Sequence, residues 1–191
     1  MEPGIFTFGH STHQVDELVG LLRRHNVAAL VDVRRFPGSR RYPQFGPVLL
    51  PSALQAAGIR YTHLPELGGR RRASPDSVNT AWRNAAFRGY ADHLATPEFA
   101  AGLDALLGLA AETRIALLCA EALWWRCHRR LIADALVVRG YSVEHILASG
   151  ATVMHQLTPF ARLDGLHISY PAAEALAAES PTGASPEANS M

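Results

Sequence analysis

Apolar positions along the chain fall into two patterns. Short, nearly continuous apolar runs alternate with stretches in which apolar residues return every three or four positions. The runs are Ile5 to Gly9, Val27 to Val33, Ile59 to Leu64, Ile115 to Cys119 and Ser142 to Leu147. Their length and their bounding turn residues predict strands, and continuous apolar strands suit a sheet buried on both faces. Helical spacing fills much of the chain between the runs. Val15, Leu18, Val19 and Leu22 predict a helix from about Thr12 to Arg24, with Ser11 and Gln14 spaced as a capping box. Pro51 to Ala57 reads as a short helix stopped by Gly58, and Phe87 to Leu94 as another. Thr96 caps a longer one with Pro97 at its first position, and Phe99, Leu103, Leu106, Leu107 and Ala110 face inward. The last opens on Cys127 and stops at Gly140.

Strands alternating with helices in this way predict the α/β class, a three-layer αβα domain around a mainly parallel sheet of about five strands. The pattern does not fix the strand order. Residues 1–170 read as a single domain in which 149–170 form a small C-terminal extension. Residues 171–191, full of Ala, Ser, Pro and Glu, read as a disordered tail. Between Leu64 and Asn84 no period is sustained, which predicts a long loop, and long loops in compact domains are often functional or mobile.

Composition narrows the classes. A chain of 191 residues buries a full core as one domain. No apolar run reaches the length of a membrane span, and the start lacks a basic region followed by an apolar one, so a cytoplasmic protein without membrane association is expected. A net charge of +1 argues against a broad polyanion-binding surface. All 18 basic residues are arginine. Codon preference explains that bias, and so does bidentate recognition of phosphate or carboxylate.

Both cysteines lie in one stretch, Arg114 to Arg130. Cys119 ends a strand, Glu121 sits in the turn, and Cys127, His128 and Arg129 open the next helix. Ligands of open parallel sheets bind beyond the carboxyl ends of the strands, so these groups should meet at that rim. A thiol beside cations at a helix start favours the thiolate, which makes Cys127 or Cys119 a candidate nucleophile with His128 as proton carrier. The same atoms suit a metal: Cys119, Cys127 and His128, with His10 or Asp32 as a fourth ligand, form a sulfur and nitrogen set that zinc prefers. The plainer alternative is a pair of small buried thiols beside a core histidine. Spacing argues against a tyrosine-phosphatase loop, because Trp125 stands where its arginine belongs and Arg126 comes one residue late.

Other strand ends contribute His10 with Ser11, Asp32 with Arg34, and His63 with Glu66. Arg34, Arg40, Arg41, Arg70, Arg71, Arg72, Arg126 and Arg129 would make the rim positive and suit a phosphate-bearing small molecule or nucleic acid. The leading expectation is an enzyme acting on such a substrate. Cys119, Glu121, Cys127, His128, Asp32 and His10 are its candidate catalytic groups, and Arg34, Arg40, Arg126, Arg129 and Ser11 its anion-binding groups. The alternatives are a non-catalytic anion-binding or redox-sensor module, and a Cys/His metal site. The sequence does not identify a cofactor.

Several motifs occur in order: Phe8-Gly9-His10-Ser11, Val31-Asp32-Val33-Arg34, Pro37 with Ser39-Arg40, Leu64-Pro65-Glu66-Leu67-Gly68-Gly69, Gly89-Tyr90, Leu118-Cys119-Ala120-Glu121 and Cys127-His128-Arg129. Together they resemble the domain of unknown function 488 family over about residues 4–148. The Trp124-Trp125 turn resembles one branch of it. The resemblance implies a small cytosolic α/β protein of bacteria or archaea, and it supplies no activity.

Overall fold

The computed structural model describes residues 4–38 and 40–172. Five parallel strands, β1 (Ile5–Gly9), β2 (Ala29–Asp32), β3 (Arg60–His63), β4 (Ile115–Cys119) and β5 (Val143–Ile146), form the sheet in the order β3-β2-β4-β1-β5. A sixth, β6 (Thr152–Met154), adds antiparallel to β5, so the segment after residue 148 extends the sheet by one strand. Helices α1 (Val15–Arg24) and α2 (Leu49–Ala56) cover one face. Helices α3 (Ala85–His93), α4 (Pro97–Glu112) and α5 (Arg129–Val138) cover the other, which completes three layers.

Strand side chains alternate between these layers with period two. Phe6, Phe8, Leu30, Ala116 and Leu118 pack toward Leu18, Leu22, Leu50 and Leu54 of α1 and α2. Ile5, Ala29, Val31, Ile115 and Leu117 pack toward Phe99, Leu103, Leu131 and Leu136. Both sets are apolar, which is why the strands read as continuous runs. No single helix among the described residues is long and apolar enough to cross a membrane.

The chain after residue 154 forms a hairpin, β7 (Arg162–Asp164) with β8 (His167–Ser169), turned at Gly165 with φ of 57°. Ile168 and Tyr170 then enter the core beside Trp82. Of the tail expected over 171–191, residues 173–191 lie outside the described residues.

Two element starts differ from the sequence reading. Helix α1 is capped at Gln14, whose backbone N–H donates to the Glu17 carboxylate at 2.8 Å, so the capping box lies three residues further on. Ser11 is drawn into the left-handed region (φ 44°) while its N–H donates to Ala120 O at 2.9 Å. Helix α5 begins at Arg129, because a short 3-10 turn, Trp124–Arg126, precedes it and leaves Cys127 extended. Trp124 is held in that turn by stacking on His145 at 4.0 Å.

The topology fixes where a ligand can enter. From β1 the chain passes through α1 to β2, and from neighbouring β4 it passes through α5 to β5, so the two connections leave on opposite faces and in opposite directions. Such a switch point opens a crevice beyond the strand ends. Gly9 and Cys119 are register partners there. A Cβ on Gly9 would lie 1.9 Å from Glu121 O and 2.8 Å from Arg129 Nη2, so only glycine lets the loop after β4 close over β1. Gly9→Ala is expected to cost about 3 kcal/mol through overpacking. Urea unfolding checks this, and a wild-type midpoint would contradict the close approach.

Candidate functional site

Backbone bonds sew the ends of β1 and β4 together: His10 N donates to Cys119 O and Ser11 N to Ala120 O, both at 2.9 Å. Beneath this seam lie the two thiols and one imidazole. His128 Nδ1 is 3.9 Å from Cys119 Sγ and 3.7 Å from Cys127 Sγ. Its other nitrogen, Nε2, is 3.0 Å from Val33 O. A carbonyl only accepts, so the neutral ring carries its proton on Nε2 and turns the Nδ1 lone pair toward both sulfurs. Gly69 packs on the ring, where a Cβ would come within 2.8 Å of Nδ1.

Arg129 is the buried cation of the site. Its Nε donates to Cys127 Sγ at 3.3 Å, its Nη2 to Glu121 O, and its Nη1 to Thr7 Oγ1 at 3.5 Å. Burial disfavours charge on Cys127, but the hydrogen bond from Cys119 and the Arg129 charge outweigh it and hold this thiol well below its ordinary range. Cys119 is pushed the other way, first by that same bond and then by burial. The surroundings therefore favour negative charge on Cys127 over Cys119.

A second shell of polar groups stands behind Arg129. Thr7 Oγ1 lies 2.7 Å from His145 Nδ1, His145 Nε2 lies 3.0 Å from His155 Nδ1, and His155 Nε2 lies 2.8 Å from Asp134 Oδ1. Because the carboxylate accepts, the direction of every bond follows: His155 donates to Asp134, His145 to His155, Thr7 to His145 and Arg129 to Thr7. Asp134 also accepts from Thr158 N at 2.9 Å and from the Tyr170 hydroxyl at 2.8 Å. Neither His145 nor His155 is among the candidates that the sequence pattern singles out. The available signal was Asp134, an acid on the apolar face of its helix, three residues after Leu131.

A cleft of about 1010 Å³ lies over the seam. Ser11, Arg41, Arg70, Glu121 and Arg126 line it, with Phe36 and Trp125 as exposed aromatic walls. Two smaller crevices reach the cluster. One of about 170 Å³ meets Cys119 and His128, and one of about 190 Å³ meets Cys127 and His128. Glu121 and Arg70 line all three spaces. Arg70 holds a left-handed backbone (φ 60°), a conformation that a non-glycine residue adopts at some cost.

The structure thus gathers Cys119, Cys127, His128, Glu121 and Arg129 at one place, with Ser11 and Arg126 on the cleft above. Asp32, Arg34 and His10 form a second, buried knot, from which His10 and Arg34 reach the wall of the same cleft. Arg34 clamps Asp32 through Nε at 2.8 Å and Nη2 at 2.5 Å, and donates further to Phe45 O at 2.9 Å and Pro37 O at 3.3 Å. Its Nη1 also reaches His10 Nε2 at 3.3 Å, and Tyr61 donates to Asp32 Oδ2 at 2.8 Å. The hydrogen bonds of Arg34 and Arg129 run to groups inside the protein, and Arg34 also lines the cleft. Arg40 is exposed and does not line the cleft.

Burial leads in keeping two of these imidazoles neutral: His10 is lowered to about 4 and His145 to about 3, from an ordinary 6.5. The unfolded chain then takes up protons that the folded one refuses. Stability is complete above about pH 6.5 and falls as the pH drops toward 4, by about 1.4 kcal/mol per pH unit for each ring. Urea titrations between about pH 4.5 and pH 7 measure that slope. His145→Gln should flatten it, and an unaltered slope would contradict the buried neutral ring.

The chain matches the family model described as domain of unknown function DUF488 over residues 14–136, which include Cys119, Glu121, Cys127, His128 and Arg129. No curated protein and no solved structure matches it. A match over more than half of the chain, on the segment that builds the cluster, makes this protein a member of the DUF488 family.

Proposed function

We propose that the protein is an enzyme acting on a phosphate-bearing substrate, a nucleotide or the end of a nucleic acid, held in the cleft at the β1/β4 switch point. The observation that carries this reading is the meeting of three cleft arginines with the Cys119, Cys127 and His128 cluster through crevices that Glu121 lines. Arg70 and Arg126 have no carboxylate partner among the described residues. Their planar forks suit phosphate oxygens, and Arg41, stacked 5.5 Å over Tyr42, adds a third. Phe36 and Trp125 are 65% and 45% exposed, an unusual state for large rings that suits stacking on a base. Glu121 serves as the acid-base group, and the cluster beneath it supplies the reacting group. An anion-binding redox module is the second reading, favoured by the two free sulfurs lying within 4.8 Å of each other.

Titration of the intact protein with AMP and with inorganic pyrophosphate, followed by tryptophan fluorescence, tests the binding half. Arg70→Ala and Arg126→Ala should each weaken binding by about tenfold, with a reduced dependence on salt. Unchanged affinity in both variants would remove the arginines from the site. Turnover is tested on a panel of nucleotides and short oligonucleotides. Glu121→Gln should retain binding and lose about a hundredfold or more in rate. Tight binding with no turnover of any panel member by the wild type would favour the redox module.

A further inference from the structure

We propose that Cys119, Cys127 and His128 form a three-ligand site for a soft divalent metal, zinc above all, with a fourth position open to the cleft. Its use in catalysis rests on the reading of the cleft given above; its existence does not. The three donor atoms lie within 4.8 Å of one another, with the imidazole 3.9 and 3.7 Å from the sulfurs. A tetrahedral zinc with bonds of about 2.3 Å to sulfur and 2.0–2.1 Å to nitrogen needs about 3.6 Å between sulfur and nitrogen and about 3.8 Å between sulfurs. The ligands need to close by less than about 1 Å.

The orientation of each donor argues more strongly than the distances. A histidine binds metal through a lone pair while its other nitrogen donates to an oxygen that fixes the ring. His128 has that arrangement, with Nε2–H on Val33 O and Nδ1 between the sulfurs. Metal-bound thiolates accept N–H bonds from the protein around them. Cys127 accepts from Arg129 Nε, and Cys119 from the backbone N–H of Glu121. Every ligand thus has its supporting partner already in place. Gly69, pressed on the ring at Nδ1, keeps the imidazole from turning away.

The fourth ligand is not another side chain. His10 and Asp32, the other candidates at the rim, are held by Arg34 and Tyr61, and among the described residues the converging group contains these three alone. The crevices of about 170 and 190 Å³ reach the cluster instead, and each has room for water or a phosphoryl oxygen. Three protein ligands and an open position distinguish a catalytic zinc site from a structural one. Two thiolates balance the divalent charge, so buried Arg129 leaves the floor of the cleft positive toward an anion. A water on the open position gives its proton to Glu121, and its oxygen bonds to the electrophilic atom of the substrate. The bond from that atom to the leaving group breaks, and the leaving group departs with the electron pair and takes the proton from Glu121.

The full chain, purified under reducing conditions, is analysed for metal, then stripped with a chelator and titrated with Co²⁺ alone. About one equivalent of zinc is expected as isolated. The cobalt form should show thiolate charge transfer in the near ultraviolet and the strong visible bands of a tetrahedral ion. Cys119→Ser, Cys127→Ser and His128→Asn should each change that spectrum and weaken metal binding. Gly69→Ala, which leaves all three donors in place, should weaken it about 10- to 100-fold by displacing the ring. Glu121→Gln should bind metal as the wild type does. Less than about a tenth of an equivalent of zinc together with no cobalt charge transfer in the wild type would overturn the proposal. So would cobalt bands that survive all three ligand substitutions. Metal-free protein that cannot be loaded but still binds AMP would sink the metal site and leave the cleft reading standing. Metal bound at these residues with neither AMP nor pyrophosphate binding would do the reverse.

Discussion

The buried guanidinium of Arg129 is the interaction on which this end of the molecule depends. A cation removed from water is tolerated only when its donors are occupied, and truncating one member of a buried charged pair typically costs about 3–5 kcal/mol. Arg129 meets that demand by binding three separate segments: Cys127 just ahead of its own helix, the carbonyl of Glu121 in the loop after β4, and Thr7 within β1. The need to satisfy one charge thereby fixes the loop that carries Glu121, the extended backbone of Cys127 and the close approach at Gly9. The crevice has a defined shape because the charge beneath it has a defined coordination.

Behind Arg129, the bonds through Thr7, His145 and His155 to Asp134 all point the same way. Successive donors of one sense polarise one another, so the anionic end strengthens the hold on the cationic end. The chain also crosses the molecule. Asp134 comes from α5, His145 from β5, His155 follows β6, and Thr158 and Tyr170 tie the same carboxylate to the closing segment. Residues beyond the part that matches the family model therefore help to place Arg129, and through it Cys127. The sixth strand and the hairpin act on the site by this route and not by lining the cleft.

How much of this was legible depends on how local each cause is. Strands and helices were legible because burial on two faces writes continuous apolar runs, and burial on one face writes helical spacing. The Cys119, Cys127 and His128 cluster was legible because a strand end and the following helix start must share a rim in a parallel sheet. Helix α1 shows the limit: Ser11 with Gln14 and Gln14 with Glu17 have the same spacing, and the choice is made by Ala120 O, more than a hundred residues away. His145 was illegible for the same reason, since its partner Thr7 is 138 positions distant. Strand order depends on which face each crossover takes, and no residue pattern within a strand records that.

The arginines make the point most sharply, because nothing local separates those that hold the interior together from those that only line the cleft. Arg34 and Arg129 look like surface clamps in the sequence, yet distant carbonyls, a carboxylate and a sulfur take up their donors. What distinguishes Arg70 is the backbone it is forced to adopt. Its left-handed conformation follows Gly68 and Gly69, and those glycines are small because Arg35 and His128 press against them. The packing that orients the His128 ring toward the sulfurs therefore also throws the Arg70 side chain over the openings that lead to them. The cluster and the arginine-lined wall of the cleft are set by one constraint, so a change that loosens the imidazole should displace Arg70 as well.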